Sequence, residues 1–90
     1  MGSRRTRPAK LAEKLLQIRL TLGLSQSEIL RKLGIADTNY RYYISQFENG
    51  QREPTLLLLF EYAKAAGVCL DVLVDDKQHL PAKLPSKPKH

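Results

Sequence analysis

Residues 19–54 run RLTLGLSQSEILRKLGIADTNYRYYISQFENGQREP, and the parsing of this stretch decides the fold. It divides into two short helices joined by a turn. The first opens at Leu24-Ser25-Gln26-Ser27-Glu28-Ile29. There the Ser25 hydroxyl can accept the backbone N–H of Glu28 while the Glu28 carboxylate accepts that of Ser25, a reciprocal capping box with Leu24 and Ile29 spaced as its hydrophobic staple. The helix closes at Leu33-Gly34, because glycine most cheaply takes the left-handed conformation that follows a helix. The second helix begins at Asp37 or Thr38, both N-capping residue types, and ends at Asn49-Gly50. Helical spacing turns Tyr40, Tyr43, Ile44 and Phe47 inward and leaves Arg41, Tyr42, Ser45 and Gln46 outward.

Upstream, Leu11, Leu15, Ile18 and Leu22 recur at helical spacing between Lys10, Glu13, Lys14 and Gln17, which predicts a first helix over 9–22, packed behind the pair. Downstream, Pro54 starts a further helix with Thr55 as its cap. Its core stripe is Leu56, Leu59, Tyr62, Ala63 and Ala66, and it runs to Gly67. Leu57 and Phe60 fall outside that stripe. An apolar surplus on a small domain needs cover, and a two-fold dimer is the commonest way to supply it, so both residues are dimer candidates. The segment VCLDVLV, residues 68–74, suits a strand by its β-branched content and a short helix by its leucine spacing.

The ends are different in kind. Residues 1–8, MGSRRTRP, are polar, basic and without periodicity, so they read as a flexible arm. Arg4, Arg5 and Arg7 either reach along phosphates or into a minor groove, or belong to a frayed terminus. Residues 77–90 hold three prolines and no periodicity, and read as an extended, largely disordered tail. The domain proper is then 9–76.

Ninety residues allow one small domain, for which an all-helical bundle is the economical solution. A single cysteine, Cys69, excludes an intrachain disulfide and suits a reducing cytosol; it reads as a small residue at a helix start rather than a reactive thiol. The longest apolar run, Leu56 to Phe60, is far too short to cross a bilayer, and the Arg-rich start lacks the apolar core of a signal peptide, so a soluble, cytoplasmic protein is expected. Charge is divided along the chain. Residues 1–52 hold ten Lys and Arg against four acids, residues 53–76 one against five, and residues 77–90 add four lysines. The positive field thus lies over the arm and the helix pair, where a polyanion would bind.

The run LSQSEILRKLG followed by IS-x-F-E-N-G-x-R-x-P resembles the helix-turn-helix of the lambda repressor and Cro family, also called XRE-type regulators. The resemblance spans roughly residues 11 to 74. Two departures stand out: IADTNYRY carries a short insertion before the second helix of the pair, and Leu30 occupies a place usually held by a small residue. The resemblance implies an all-α, compact five-helix lambda-repressor-like domain, with residues 68–74 taking the helical alternative and Leu70, Leu73 and Val74 inward. It implies that Arg19 pairs with Glu48 as a structural ion pair, and that Gln26, at a helix start where free N–H groups already favour an anion, meets a DNA phosphate. Aligned on Ile44 and Glu48, it puts the base-facing positions on Arg41, Tyr42 and Gln46, with Ser45 beside them; the insertion decides whether Asn39 and Tyr40 also reach the groove. Asn49, Gln51 and Arg52 fall in the segment that contacts the backbone in this family.

These side chains suit the task. Arg can bond bidentate to guanine and Gln to adenine, while an aromatic or hydroxyl can touch a thymine methyl or a phosphate. The expected function is a sequence-specific regulator of transcription, a repressor that binds an inverted-repeat operator in duplex DNA as a homodimer. The alternative is an antitoxin-type module that binds a partner protein and autoregulates its promoter, motivated by the Pro-rich tail and the surplus apolar surface. Catalysis is not expected: His79 and His90 lie in the tail, Cys69 has no histidine near it in sequence, and neither a Gly-rich phosphate loop nor a metal-ligand spacing of His and Cys is present. No cofactor is implied.

Overall fold

The computed structural model describes residues 9–81 and 83–84, without the side chain of Thr38. Five α-helices occur in order, α1 (Leu11–Thr21), α2 (Gln26–Lys32), α3 (Arg41–Glu48), α4 (Leu56–Ala66) and α5 (Leu70–Val74), with a 3-10 turn, Thr38–Tyr40, leading into α3. No strand occurs among the described residues, so residues 68–74 take the helical alternative. The second helix of the pair, expected over 38–48 as one element, is therefore a 3-10 turn continued by α3.

The apolar stripe of α1 does what its spacing predicts. Leu11, Leu15, Ile18 and the following Leu22 are all buried, and α1 packs against α3, α4 and α5. Ile29 and Leu30 of α2, Ile44 and Phe47 of α3, and Leu59 and Tyr62 of α4 close the same core. Leu30, unusually large for its place, is accommodated as one of these core residues. Burial of such side chains is the main term opposing chain entropy in a domain of this size.

Local signals fix the ends of the helices. The capping box forms as expected, with Glu28 N–H donating to Ser25 Oγ at 3.1 Å and Ser25 N–H to Glu28 Oε1 at 2.8 Å. Gly34, at φ +85°, then reverses the chain after α2. At α4, Thr55 Oγ1 accepts the N–H of Leu58 at 3.2 Å. Helix α1 has no side-chain cap of its own. The N–H groups of Ala9 and Lys10, in the turn that leads into α1, donate to the Asp76 carboxylate at 2.8 and 3.0 Å, so the far end of the domain ties down the entry to the helix.

Lys14, between the stripe residues of α1, is 4% exposed, and its Nζ donates to Val72 O at 2.7 Å and Asp75 O at 3.0 Å. Those carbonyls lie at the end of α5, where a cation meets both orphaned acceptors and the negative end of the helix dipole. Leu56 does not join the core stripe and is 67% exposed; Leu59 is buried and Leu58 packs on the core instead. Val74, the last residue of α5, lies outward. Tyr40 is exposed rather than inward, since a 3-10 turn advances faster per residue than an α-helix; it rests on Tyr43 with ring centroids 4.8 Å apart. In the described part of the tail, residues 77–81 and 83–84, no helix occurs, yet Leu84 is buried and Leu80 packs on the core.

Candidate nucleic-acid interface

Helix α3 is held in place by one carboxylate. Glu48 accepts Arg19 Nε at 2.6 Å and Arg19 Nη2 at 3.0 Å, a two-point pairing of α3 with α1. Arg19 Nη1 donates in turn to Leu24 O at 3.1 Å, and Gln26 Nε2 to Glu48 Oε1 at 3.3 Å. The Arg19–Glu48 pair therefore ties together α1, the turn before α2, the start of α2 and the end of α3. The hydrogen bond that Arg19 donates to Glu48 holds the guanidinium above its ordinary pKa despite partial burial.

On the outer side of this frame, Gln26, Asn39, Arg41, Tyr42 and Ser45 line a groove of about 390 Å³. A second groove, of about 500 Å³, continues through Asn39 and Tyr42 to Asp37, Tyr40, Tyr43, Gln46 and Arg52. The residues expected to face bases are thus brought together along one face, with Gln26 of α2 beside them. Arg41 and Tyr42 are exposed, Tyr42 to 77%, while Ser45 and Gln46 are half-buried. The insertion is ordered by Asp37, whose Oδ1 accepts the N–H of Asn39 at 2.9 Å and whose carbonyl accepts that of Tyr40 at 3.1 Å. This turn sets Asn39 and Tyr40 in the groove wall. Arginine forks and side-chain amides at such a surface match the hydrogen-bonding edges of base pairs in a major groove.

The loop after α3 folds back on the helix. Asn49 Oδ1 accepts the N–H of Gln51 at 3.1 Å, and the N–H groups of Gln51 and Arg52 both donate to Gln46 O, at 2.9 and 3.2 Å. Asn49, Gln51 and Arg52 are exposed. Arg52 Nε bonds to Gln46 Oε1 at 2.8 Å with its guanidinium 4.5 Å from the Tyr43 ring centroid. That contact is absent from the sequence reading, in which Gln46 and Arg52 have separate tasks. Its only trace in the chain is an aromatic three residues before Gln46 and a glycine in the loop that returns Arg52.

The remaining expected sites are elsewhere. Arg4, Arg5 and Arg7 lie outside the described residues. Leu57 and Phe60 are exposed on α4, Leu57 to 77%, with Lys64 Nζ 5.3 Å above the Phe60 ring. Cys69 is exposed and precedes α5 without a side-chain capping bond. Among the described residues no group of three or more His, Cys, Asp or Glu is arranged to hold a metal ion, and no helix is long and apolar enough to cross a membrane.

A helix pair capped and crossed in this way, with polar and basic side chains along the outer face of its second member, defines a helix-turn-helix protein. Residues 15–73 match the helix-turn-helix family model. A protein of Sinorhizobium fredii named uncharacterized HTH-type transcriptional regulator y4dJ is 34% identical to this chain over 65 residues, 72% of this chain and 79% of that protein. The chain belongs to the XRE-type helix-turn-helix family, a family of DNA-binding transcriptional regulators.

Proposed function

We propose that the protein is a repressor, which binds an inverted-repeat operator as a homodimer and sets α3 of each subunit into successive major grooves about one helical turn apart. The observation that carries this reading is the continuous groove along α3, where Arg41, Tyr42, Ser45 and Asn39 share one wall with Gln26. In it, Arg41, Tyr42, Ser45 and Gln46, with Asn39 and Tyr40, take base edges. Gln26, Asn49, Gln51 and Arg52 take phosphates, and Arg4, Arg5 and Arg7 extend the contact. Phosphate bonds fix register and base bonds select sequence. Repression follows from occupying a promoter that polymerase must use.

The dimer is supported by the exposure of Leu56, Leu57 and Phe60 along α4, a cluster of large apolar side chains that a monomer leaves in water. Sedimentation of the purified protein with and without Leu57→Glu tests it. The reading expects a wild-type dimer, a monomeric variant, and operator binding weakened far more than half-site binding. A wild-type monomer that binds DNA alone would remove the dimer. A wild-type protein that co-purifies with a small protein partner, released by Leu57→Glu, would assign the α4 surface to that partner and favour the antitoxin-type reading.

A further inference from the structure

Base reading by α3 leaves one arrangement unexplained. Arg52 Nε donates to Gln46 Oε1 at 2.8 Å, and the same guanidinium lies over the Tyr43 ring at 4.5 Å. The loop enforces this return: the N–H groups of Gln51 and Arg52 converge on Gln46 O, and Gly50 turns the chain at φ +82°. The guanidinium is held twice, by a cation–π contact with an aromatic ring and by a charge-assisted hydrogen bond at Nε.

A glutamine amide has an acceptor end and a donor end. One lone pair of Gln46 Oε1 is taken by the Arg52 cation, which anchors the acceptor end, while Nε2 and its two N–H groups have no hydrogen-bond partner among the described residues. Adenine recognition uses both ends, Nε2–H to N7 and Oε1 from N6–H, whereas guanine N7 and O6 and thymine O4 ask only for donors.

We propose that Arg52 is a positioning residue that sets specificity. By holding Gln46 Oε1 it turns the Nε2 donors toward the groove, so that Gln46 selects guanine or thymine and not adenine. This inference rests on α3 being the base-reading helix. The two Nη groups of Arg52 have no partner among the described residues, so they can bind a phosphate while Nε holds the amide. One side chain then links the backbone register to the orientation of a reader.

Selection from a random duplex pool, run on wild type, Gln46→Ala, Arg52→Ala, the double variant and Tyr43→Phe, tests the proposal, with thermal melts to establish that each is folded. Wild type is expected to enrich guanine or thymine at one half-site position, and Gln46→Ala to flatten that position. Arg52→Ala shifts the same position toward adenine, by on the order of tenfold in the base ratio, with other positions unchanged. The double variant matches Gln46→Ala, and Tyr43→Phe, which keeps the ring, matches wild type. Uniformly weaker binding by Arg52→Ala with an unchanged motif overturns the proposal and leaves Arg52 a phosphate contact. Enrichment of adenine by wild type at the Gln46 position overturns it as well, as does a wild-type motif that Gln46→Ala leaves intact. A wild type that enriches nothing overturns the reading of α3 itself.

Discussion

Arg19 and Glu48 meet through two bonds, Nε to Oε2 at 2.6 Å and Nη2 to Oε1 at 3.0 Å, with only 15% and 6% of their side chains exposed. Removing one partner strands a charge at the junction of three helices. Glu48→Ala and Arg19→Ala are each expected to cost about 3–5 kcal/mol in urea denaturation, while Arg19→Met combined with Glu48→Leu recovers much of that loss. A cost below about 1 kcal/mol for the single variants would class the pair with solvent-screened surface bridges.

Tyr62 contributes stability through its ring and not its hydroxyl. The side chain is fully buried and its Oη has no hydrogen-bond partner among the described residues, so burial pushes the phenol pKa up. Tyr62→Phe should be neutral or stabilising by about 1 kcal/mol, since it removes an unsatisfied buried group. The folded pKa lies above the unfolded one, so this group leaves stability unchanged with pH below about pH 10 and lowers it as pH rises further, when the unfolded state ionises first. An alkaline absorbance titration should show one of the four tyrosines ionising only as the protein unfolds. Four tyrosines titrating together, with the fold retained, would contradict the account.

Asp76, which ties down the entry to α1, gives the opposite pH dependence. The N–H groups of Ala9 and Lys10 hold its carboxyl below the usual range. Its contribution is therefore present above its ordinary pKa and disappears as pH falls through the lowered folded value. Wild type should exceed Asp76→Ala in stability at neutral pH, and the two denaturation curves should converge in strong acid. A gap that persists unchanged at low pH would mean that the carboxylate charge contributes nothing.

Arg41 is exposed, and its side chain makes no hydrogen bond or ion pair among the described residues. Arg41→Ala should keep the wild-type melting temperature while losing about 1–3 kcal/mol of discrimination between the operator and a random duplex, measured by competition. Equal loss on both duplexes would make Arg41 a phosphate contact.

Much of this was legible in the chain because it is encoded locally. Ser25 and Glu28 are three residues apart and cap each other whatever surrounds them, and the α1 stripe needs only helical spacing. The Arg19–Glu48 pair came from resemblance, since nothing local links residues so far apart. What escaped depends on contacts distant in sequence. The burial of Lys14 shows only when the end of α5 is brought to it. The run Leu56–Leu57–Leu58–Leu59 has no internal periodicity, so which of its leucines meets the core is set by how α4 packs and not by pattern. Prolines around Leu80 and Leu84 hide two residues that pack on the core without a helix. Within the interface, the outward set on α3 follows from spacing, while the bond from Arg52 to Gln46 depends on how a loop returns.

The central claim, that α3 selects a base sequence from within a symmetric dimer, is tested most directly by selecting bound duplexes from a random pool at about physiological salt and sequencing them. The account predicts enrichment of an inverted repeat whose half-sites lie about one helical turn apart. Bulk binding that falls steeply with salt and enriches no sequence would contradict it, and would leave the helix pair with electrostatic attraction to DNA alone.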